Sequence, residues 1–211
     1  MKIEMEDVLP EQIERRSFEI IEGELPHPLD PALAPIIKRV IHTTADFDYA
    51  DSLYFSESAV PLALAALKAG APIVTDTNMV RAGINKPALE RLGGEAYCFM
   101  QDADVAAAAR RNGTTRAAAS MDKAATLDIS TIFAIGNAPT ALARLCELIG
   151  EGRIRPALII GVPVGFVNVV QAKERIMQTA VPCIVARGRK GGSNVAAAIV
   201  NALMYMLTRE P

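Results

Sequence analysis

Thr131-Ile132-Phe133-Ala134-Ile135-Gly136-Asn137-Ala138-Pro139 is the stretch that decides the fold of this chain. Its apolar run is continuous, and it stops abruptly at residues suited to turns. A strand with one wet face alternates apolar and polar residues, so a continuous short run means burial on both faces, as in a parallel sheet covered by helices. Four other runs have the same character: Pro72-Ile73-Val74-Thr75, Ala96-Tyr97-Cys98-Phe99-Met100, Ala157-Leu158-Ile159-Ile160 and Pro182-Cys183-Ile184-Val185-Ala186. Helical patterns over 102–111, 115–127, 138–149, 169–178 and 193–208 separate or follow them. Strands alternating with helices predict a three-layer, doubly wound α/β fold with a five-stranded parallel sheet. Three further helical patterns, over 11–24, 34–41 and 58–68, precede the first run as an N-terminal elaboration. With no linker, repeat or composition break, 1–211 reads as one domain.

In open parallel sheets, ligands bind beyond the carboxyl ends of the strands. The residues after four of the runs are polar or rich in glycine: Asp76-Thr77-Asn78, Gly136-Asn137-Ala138-Pro139, Gly161-Val162-Pro163-Val164-Gly165 and Arg187-Gly188-Arg189-Lys190-Gly191-Gly192-Ser193. Singly these are ordinary turns, with asparagine capping a helix and glycine permitting the bend. Together they predict a ligand cleft in which Thr77, Asn78, Gly136, Asn137, Gly161, Gly165, Arg187, Lys190, Gly191 and Gly192 are the binding candidates. The last loop combines glycines, cations and a following helix start, so it should attract an anion, carboxylate or phosphate alike. It has neither the G-x-G-x-x-G spacing nor the Gly-Lys-Ser/Thr ending of the nucleotide fingerprints. Arg116, in Asn112-Gly113-Thr114-Thr115-Arg116, falls in a first helical turn, where a cation gains from an anionic ligand.

His42 is one of only two histidines. It closes the helical stripe Ile36, Ile37, Val40 and Ile41, with Ala34 and Pro35 at the start. Histidine exchanges protons near neutral pH, and a helix C-terminus favours positive charge, which Asp46 and Asp48 are placed in sequence to reinforce. His42 is therefore the catalytic candidate. His27, in Pro26-His27-Pro28, reads as a loop residue. Ser17, beside Phe18, Ile20 and Ile21, carries no signal by itself.

Composition narrows the function. A formal charge of -2 with no basic run leaves no footprint for nucleic acid or an anionic membrane. Cys98, Cys146 and Cys183 are odd in number, widely spaced and each in an apolar segment, which argues against a disulfide framework or zinc site and for core residues in a reducing, cytoplasmic setting. The acidic N-terminus lacks the apolar core of a signal peptide, and Val195 to Leu207 is too short to span a bilayer and should be a buried helix. No Ser/His/Asp triad or metal cluster stands out, so neither a cofactor nor a metal is expected.

Gln12-Ile13-Glu14-Arg15-Arg16-Ser17-Phe18-Glu19-Ile20-Ile21, Val40-Ile41-His42-Thr43-Thr44, Thr75-Asp76-Thr77-Asn78-Met79-Val80, Gly136-Asn137-Ala138-Pro139-Thr140, Gly161-Val162-Pro163-Val164-Gly165-Phe166-Val167 and Arg187-Gly188-Arg189-Lys190-Gly191-Gly192-Ser193-Asn194 together resemble the precorrin-8X methylmutase family, which includes the cobalt-precorrin-8 methylmutases. The match runs in order over nearly the full length. The resemblance implies a flavodoxin-like fold, a homodimer, and an intramolecular methyl transfer from C-11 to C-12 of a corrin precursor. It places the catalytic histidine at His42 and puts Ser17 and Arg116 near the bound macrocycle. Such a tetrapyrrole bears many carboxylates, which suits glycine-rich helix starts and arginines without a nucleotide motif. Two rival readings remain: a non-catalytic tetrapyrrole carrier, and a metal chelatase, which would need clustered ligands.

Overall fold

A computed structural model of the chain describes residues 6–127 and 129–208, and residues 1–5, on which the leader-peptide reading partly rests, lie outside them. The apolar runs become the parallel strands β2 (Ile73–Thr75), β3 (Ala96–Tyr97), β4 (Ile132–Ile135), β5 (Leu158–Gly161) and β6 (Cys183–Ala186). One further strand, β1 (Leu53–Phe55), pairs antiparallel with β6, with Tyr54 opposite Val185. The sheet is therefore six-stranded and mixed rather than five-stranded and parallel, in the order β1-β6-β5-β4-β2-β3. β1 is short and lies at an edge, so it carries no long apolar run of its own. β3 is shorter than its run, because Cys98, Phe99 and Met100 leave the ladder after two paired residues.

Helices cover both faces. They are α1 (Ile13–Glu24), α2 (Ala34–Thr44), α3 (Tyr49–Ser52), α4 (Ala59–Lys68), α5 (Asn78–Gly83), α6 (Lys86–Arg91), α7 (Ala103–Arg111), α8 (Arg116–Ala124), α9 (Pro139–Gly150), α10 (Val169–Met177) and α11 (Ser193–Thr208). The pleat divides the strand residues between two cores. Ile73, Ile132, Ala134, Leu158, Ile160 and Ile184 face the core built with α2, α4 and α11. Val74, Phe133, Ile135, Ile159, Cys183 and Val185 face the one built with α8, α9 and α10. Both sets are buried, which is why the strands read as continuous runs.

α11 packs on β4 and β5 on one side and on α2, α4, α5 and α6 on others, so its sequence is apolar almost all round. α2 buries Ile36, Ile37, Val40 and Ile41 and ends at Ala45, which adopts the left-handed conformation and donates its N–H to the Ile41 carbonyl (2.7 Å). The helix thus runs three residues beyond the expected end, and His42 lies inside its last turn. α3, α5 and α6 are short helices that no long periodicity announces, and the 115–127 pattern resolves into α8 and a 3-10 turn, Ala125–Leu127. Cys146 and Cys183 are buried, Cys98 is half-buried, and all three are free thiols.

Candidate functional site

The strand order reverses its direction of growth between β2 and β4, and there the loops at the carboxyl ends converge. Asp76, at the end of β2, is fully buried. Its carboxylate accepts the backbone N–H groups of Gly136 (2.9 Å), Asn137 (2.8 Å) and Ala138 (2.6 Å). Burial pushes its pKa up, and those three donors oppose the shift. The turn ahead of α9 therefore holds an anion belonging to the chain itself. The backbone donors of Gly136 and Asn137 are engaged, and α9 has no side-chain cap from Asn137. Gly136 has a packing reason as well: a Cβ there would lie 2.7 Å from Ser193 Cα. The same contact brings Thr77 to Ser193, hydroxyl to hydroxyl at 3.1 Å, while Thr77 also caps α5 through the Val80 N–H.

The β6–α11 loop is held by backbone and buried charge. Gly192 donates its N–H to the Val162 carbonyl (2.8 Å), and a Cβ on Gly191, at φ +153°, would stand 2.1 Å from the same oxygen. Gly191 is thus demanded by the approach of the β5–α10 loop. Gly165 in that loop donates to the Arg189 carbonyl (3.2 Å), and Gly161 is buried at the end of β5. Lys173 of α10 is fully buried and donates to the carbonyls of Gly188 (2.9 Å) and Lys190 (2.7 Å). Burial lowers its pKa to about 8. Sequence reading passed it over, since a helical lysine normally faces water.

Lys190 is not a free cation. Its ammonium bonds Asp46 (2.7 Å) and Asp48 (2.5 Å), which raises its own pKa and lowers that of Asp46. The two carboxylates expected to reinforce His42 are therefore engaged by Lys190. What the pair does is tie the segment just after His42 to the β6–α11 loop. His42 itself is exposed in the last turn of α2, and its ring lies 5.3 Å from that of Phe18, tilted by 45°. Ser17, next to Phe18, donates its hydroxyl back to the Ile13 carbonyl (2.9 Å).

Arg116 opens α8, exposed, and its side chain makes no hydrogen bond or ion pair among the described residues. Its N-cap, Thr115, bonds the Thr140 hydroxyl at the start of α9 (2.9 Å), which puts Arg116 at the carboxyl end of the sheet. Asn78 and Asn137 are exposed on the same side, and Arg187 lies over the Tyr54 ring at 5.0 Å. Apolar side chains share this surface: Met79 is 71% exposed, Phe166 82% and Val167 76%. Arg189 stacks on Phe166 at 5.4 Å. The surface thus offers large apolar groups, arginines and one imidazole. No hydrogen bond, ion pair or ring contact joins Ser17 or Arg116 to His42 among the described residues.

Two other hollows do not include these loops. One of about 920 Å³ lies between α1, α2 and α11, where Lys38 pairs with Glu22 and Arg39 with Glu14. Another of about 380 Å³ lies at the amino ends of β4 and β5. His27 lies outside the helices, its Nε2 2.8 Å from Asp51 and its Nδ1 3.0 Å from the Pro28 carbonyl. Those partners raise its pKa. Among the described residues no group of three or more His, Cys, Asp or Glu side chains is placed to hold a metal ion, and no helix is long and apolar enough to cross a membrane.

The sequence model of one protein family, described as precorrin-8X methylmutase, matches residues 12–206. A cobalt-precorrin-8 methylmutase of Priestia megaterium is 47% identical over 200 residues, covering 94% of this chain and 89% of that protein. A precorrin-8X methylmutase of Pseudomonas aeruginosa is 41% identical over 194 residues, covering 90% of this chain and 93% of that protein. Among solved structures, a precorrin-8x methyl mutase from Thermus thermophilus aligns with a TM-score of 0.84 and 42% identity over 92% of this chain and 96% of that one.

Proposed function

Since this chain belongs to the precorrin-8X methylmutase family, we propose that it moves a methyl group from C-11 to C-12 of precorrin-8X or cobalt-precorrin-8, with His42 as its proton donor. It is an isomerase: one carbon–carbon bond breaks, another forms on the same molecule, and nothing is oxidised. Cobalt, where present, is part of the substrate. The product is hydrogenobyrinate or cobyrinate, in corrin-ring biosynthesis.

The observation that carries the reading is the placement of His42 at the carboxyl end of the sheet, beside an amphipathic surface. A flat macrocycle has two apolar faces and a rim of acetates and propionates. Met79, Phe166 and Val167 suit the faces, and Arg116, unpaired among the described residues, suits a rim carboxylate. His42 then protonates a ring nitrogen or polarises the conjugated system, which weakens the bond holding the migrating methyl group. With Gly136 and Asn137 engaged by Asp76, and Lys190 by Asp46 and Asp48, rim carboxylates rely more on Arg116, Arg187 and the first turn of α11.

The parallel strands, in the order β3-β2-β4-β5-β6, support a flavodoxin-like assignment for 1–211 as one domain. A cytoplasmic location fits the free thiols. The exposed Phe166 and Val167 fit a homodimer whose partner closes over the site. Light scattering is expected to give twice the 22.5 kDa chain mass, and a monomeric mass would contradict the dimer. Incubating purified protein with metal-free and cobalt-bearing substrates, while following the visible spectrum, tests the activity. A spectral change with at least one is expected. Binding with no change in either would favour a carrier instead.

A further inference from the structure

Lys173, like Asp76, is a buried ionisable group that the methyl transfer itself does not use. An ammonium out of water with no carboxylate beside it is unfavourable, and a methionine would fill similar space without that penalty. Its hydrogen bonds explain why a lysine stands there. Nζ joins the carbonyls of Gly188 and Lys190, two residues apart on the β6–α11 loop, and so fixes the backbone from which the Lys190 side chain departs. Lys190 then reaches Asp46 and Asp48, immediately beyond the last turn of α2. Val40 and Ile41 anchor the inner side of that end in the core, whereas His42 lies on its outer side, exposed, with the Phe18 ring as its one ring contact among the described residues.

We propose that Lys173 is a positioning residue for the reaction: by pinning the Gly188 and Lys190 carbonyls it sets the loop from which Lys190 clamps Asp46 and Asp48, and so holds the helix end that carries His42. The inference rests on His42 being the reacting group. It assigns to a buried cation control over where that imidazole stands.

Lys173→Met, Lys190→Met and the double variant test it, with turnover measured beside the His42 ring signals in NMR of the substrate-free protein. Each single variant is expected to shift the His42 signals and to lower kcat by about tenfold to a hundredfold, the scale of a misplaced catalytic group. KM should change less than kcat. The double variant should be no worse than the poorer single one, because both changes break the same chain of contacts. If Lys173→Met fails to fold, Lys173→Gln, which keeps an N–H donor, takes its place with the same expectation. Unmoved His42 signals, or fully multiplicative losses in the double variant, would overturn the proposal. So would a rise in KM with kcat intact, since that marks Lys190 as a substrate contact. The underlying reading is tested separately by His42→Ala: if that variant turns over normally, His42 is not the reacting group, whatever the NMR signals show.

Discussion

His42→Ala is expected to lower the rate of methyl migration by about 10²- to 10⁴-fold, the range typical of a lost general acid or base. Binding of the tetrapyrrole should persist, because the groups suited to its faces and carboxylates, Met79, Phe166, Val167 and Arg116, stand on other elements. Stability should move by no more than about 0.5 kcal/mol, since His42 is exposed and its side chain forms no hydrogen bond among the described residues. The combination separates catalysis from folding and from affinity: kcat falls, KM stays close, and the thermal midpoint holds. His42→Asn sharpens the assignment. Asparagine can donate a hydrogen bond but cannot deliver a proton, so if it restores most of the rate, polarisation of the ring system is enough. If it is as slow as alanine, proton transfer is required. Near-normal turnover in the alanine variant would end the catalytic assignment.

The layered α/β architecture was legible because both faces of the inner strands are buried. Ile132, Phe133, Ala134 and Ile135 alternate between two cores, and each core demands an apolar residue, so the run is unbroken. β1 hid for the opposite reason. Leu53-Tyr54-Phe55 is three residues long, lies at the edge, and is flanked by Ser52 and Ser56, so nothing local separates it from a loop. At the site, His42 and Arg116 stood out by residue type and helix position. The roles of their neighbours did not, because those depend on contacts distant in sequence. Lys190 finds its carboxylates 144 and 142 positions away, and the donors at Gly136 and Asn137 are engaged by a carboxylate 60 and 61 positions earlier. A sequence pattern reports which groups attract anions. Only the fold reports that the chain has already supplied one.

That supplied anion is where the largest loss of stability is expected. Asp76→Ala should destabilise the protein by about 3–5 kcal/mol, because a buried donor left without its acceptor costs about 1–3 kcal/mol and three donors lose theirs at once. Three backbone N–H groups now share one carboxylate, and all three would lose their acceptor together. Water cannot easily replace it, because Asp76 is fully enclosed and the turn is pressed against Ser193. The damage should also spread. The Gly136 turn carries α9, whose Ala141, Leu142 and Leu145 fill the core beneath β4 and β5, and it abuts the start of α11. Asp76→Asn is the discriminating companion. It keeps the shape but turns one oxygen into an NH₂ group, so at least one N–H donor faces another donor. An intermediate loss is expected. Urea unfolding with a common m-value across the three proteins measures both effects. An alanine variant within about 1 kcal/mol of the parent would mean that the turn finds other acceptors, and that Asp76 is dispensable for holding α9 at the end of β4.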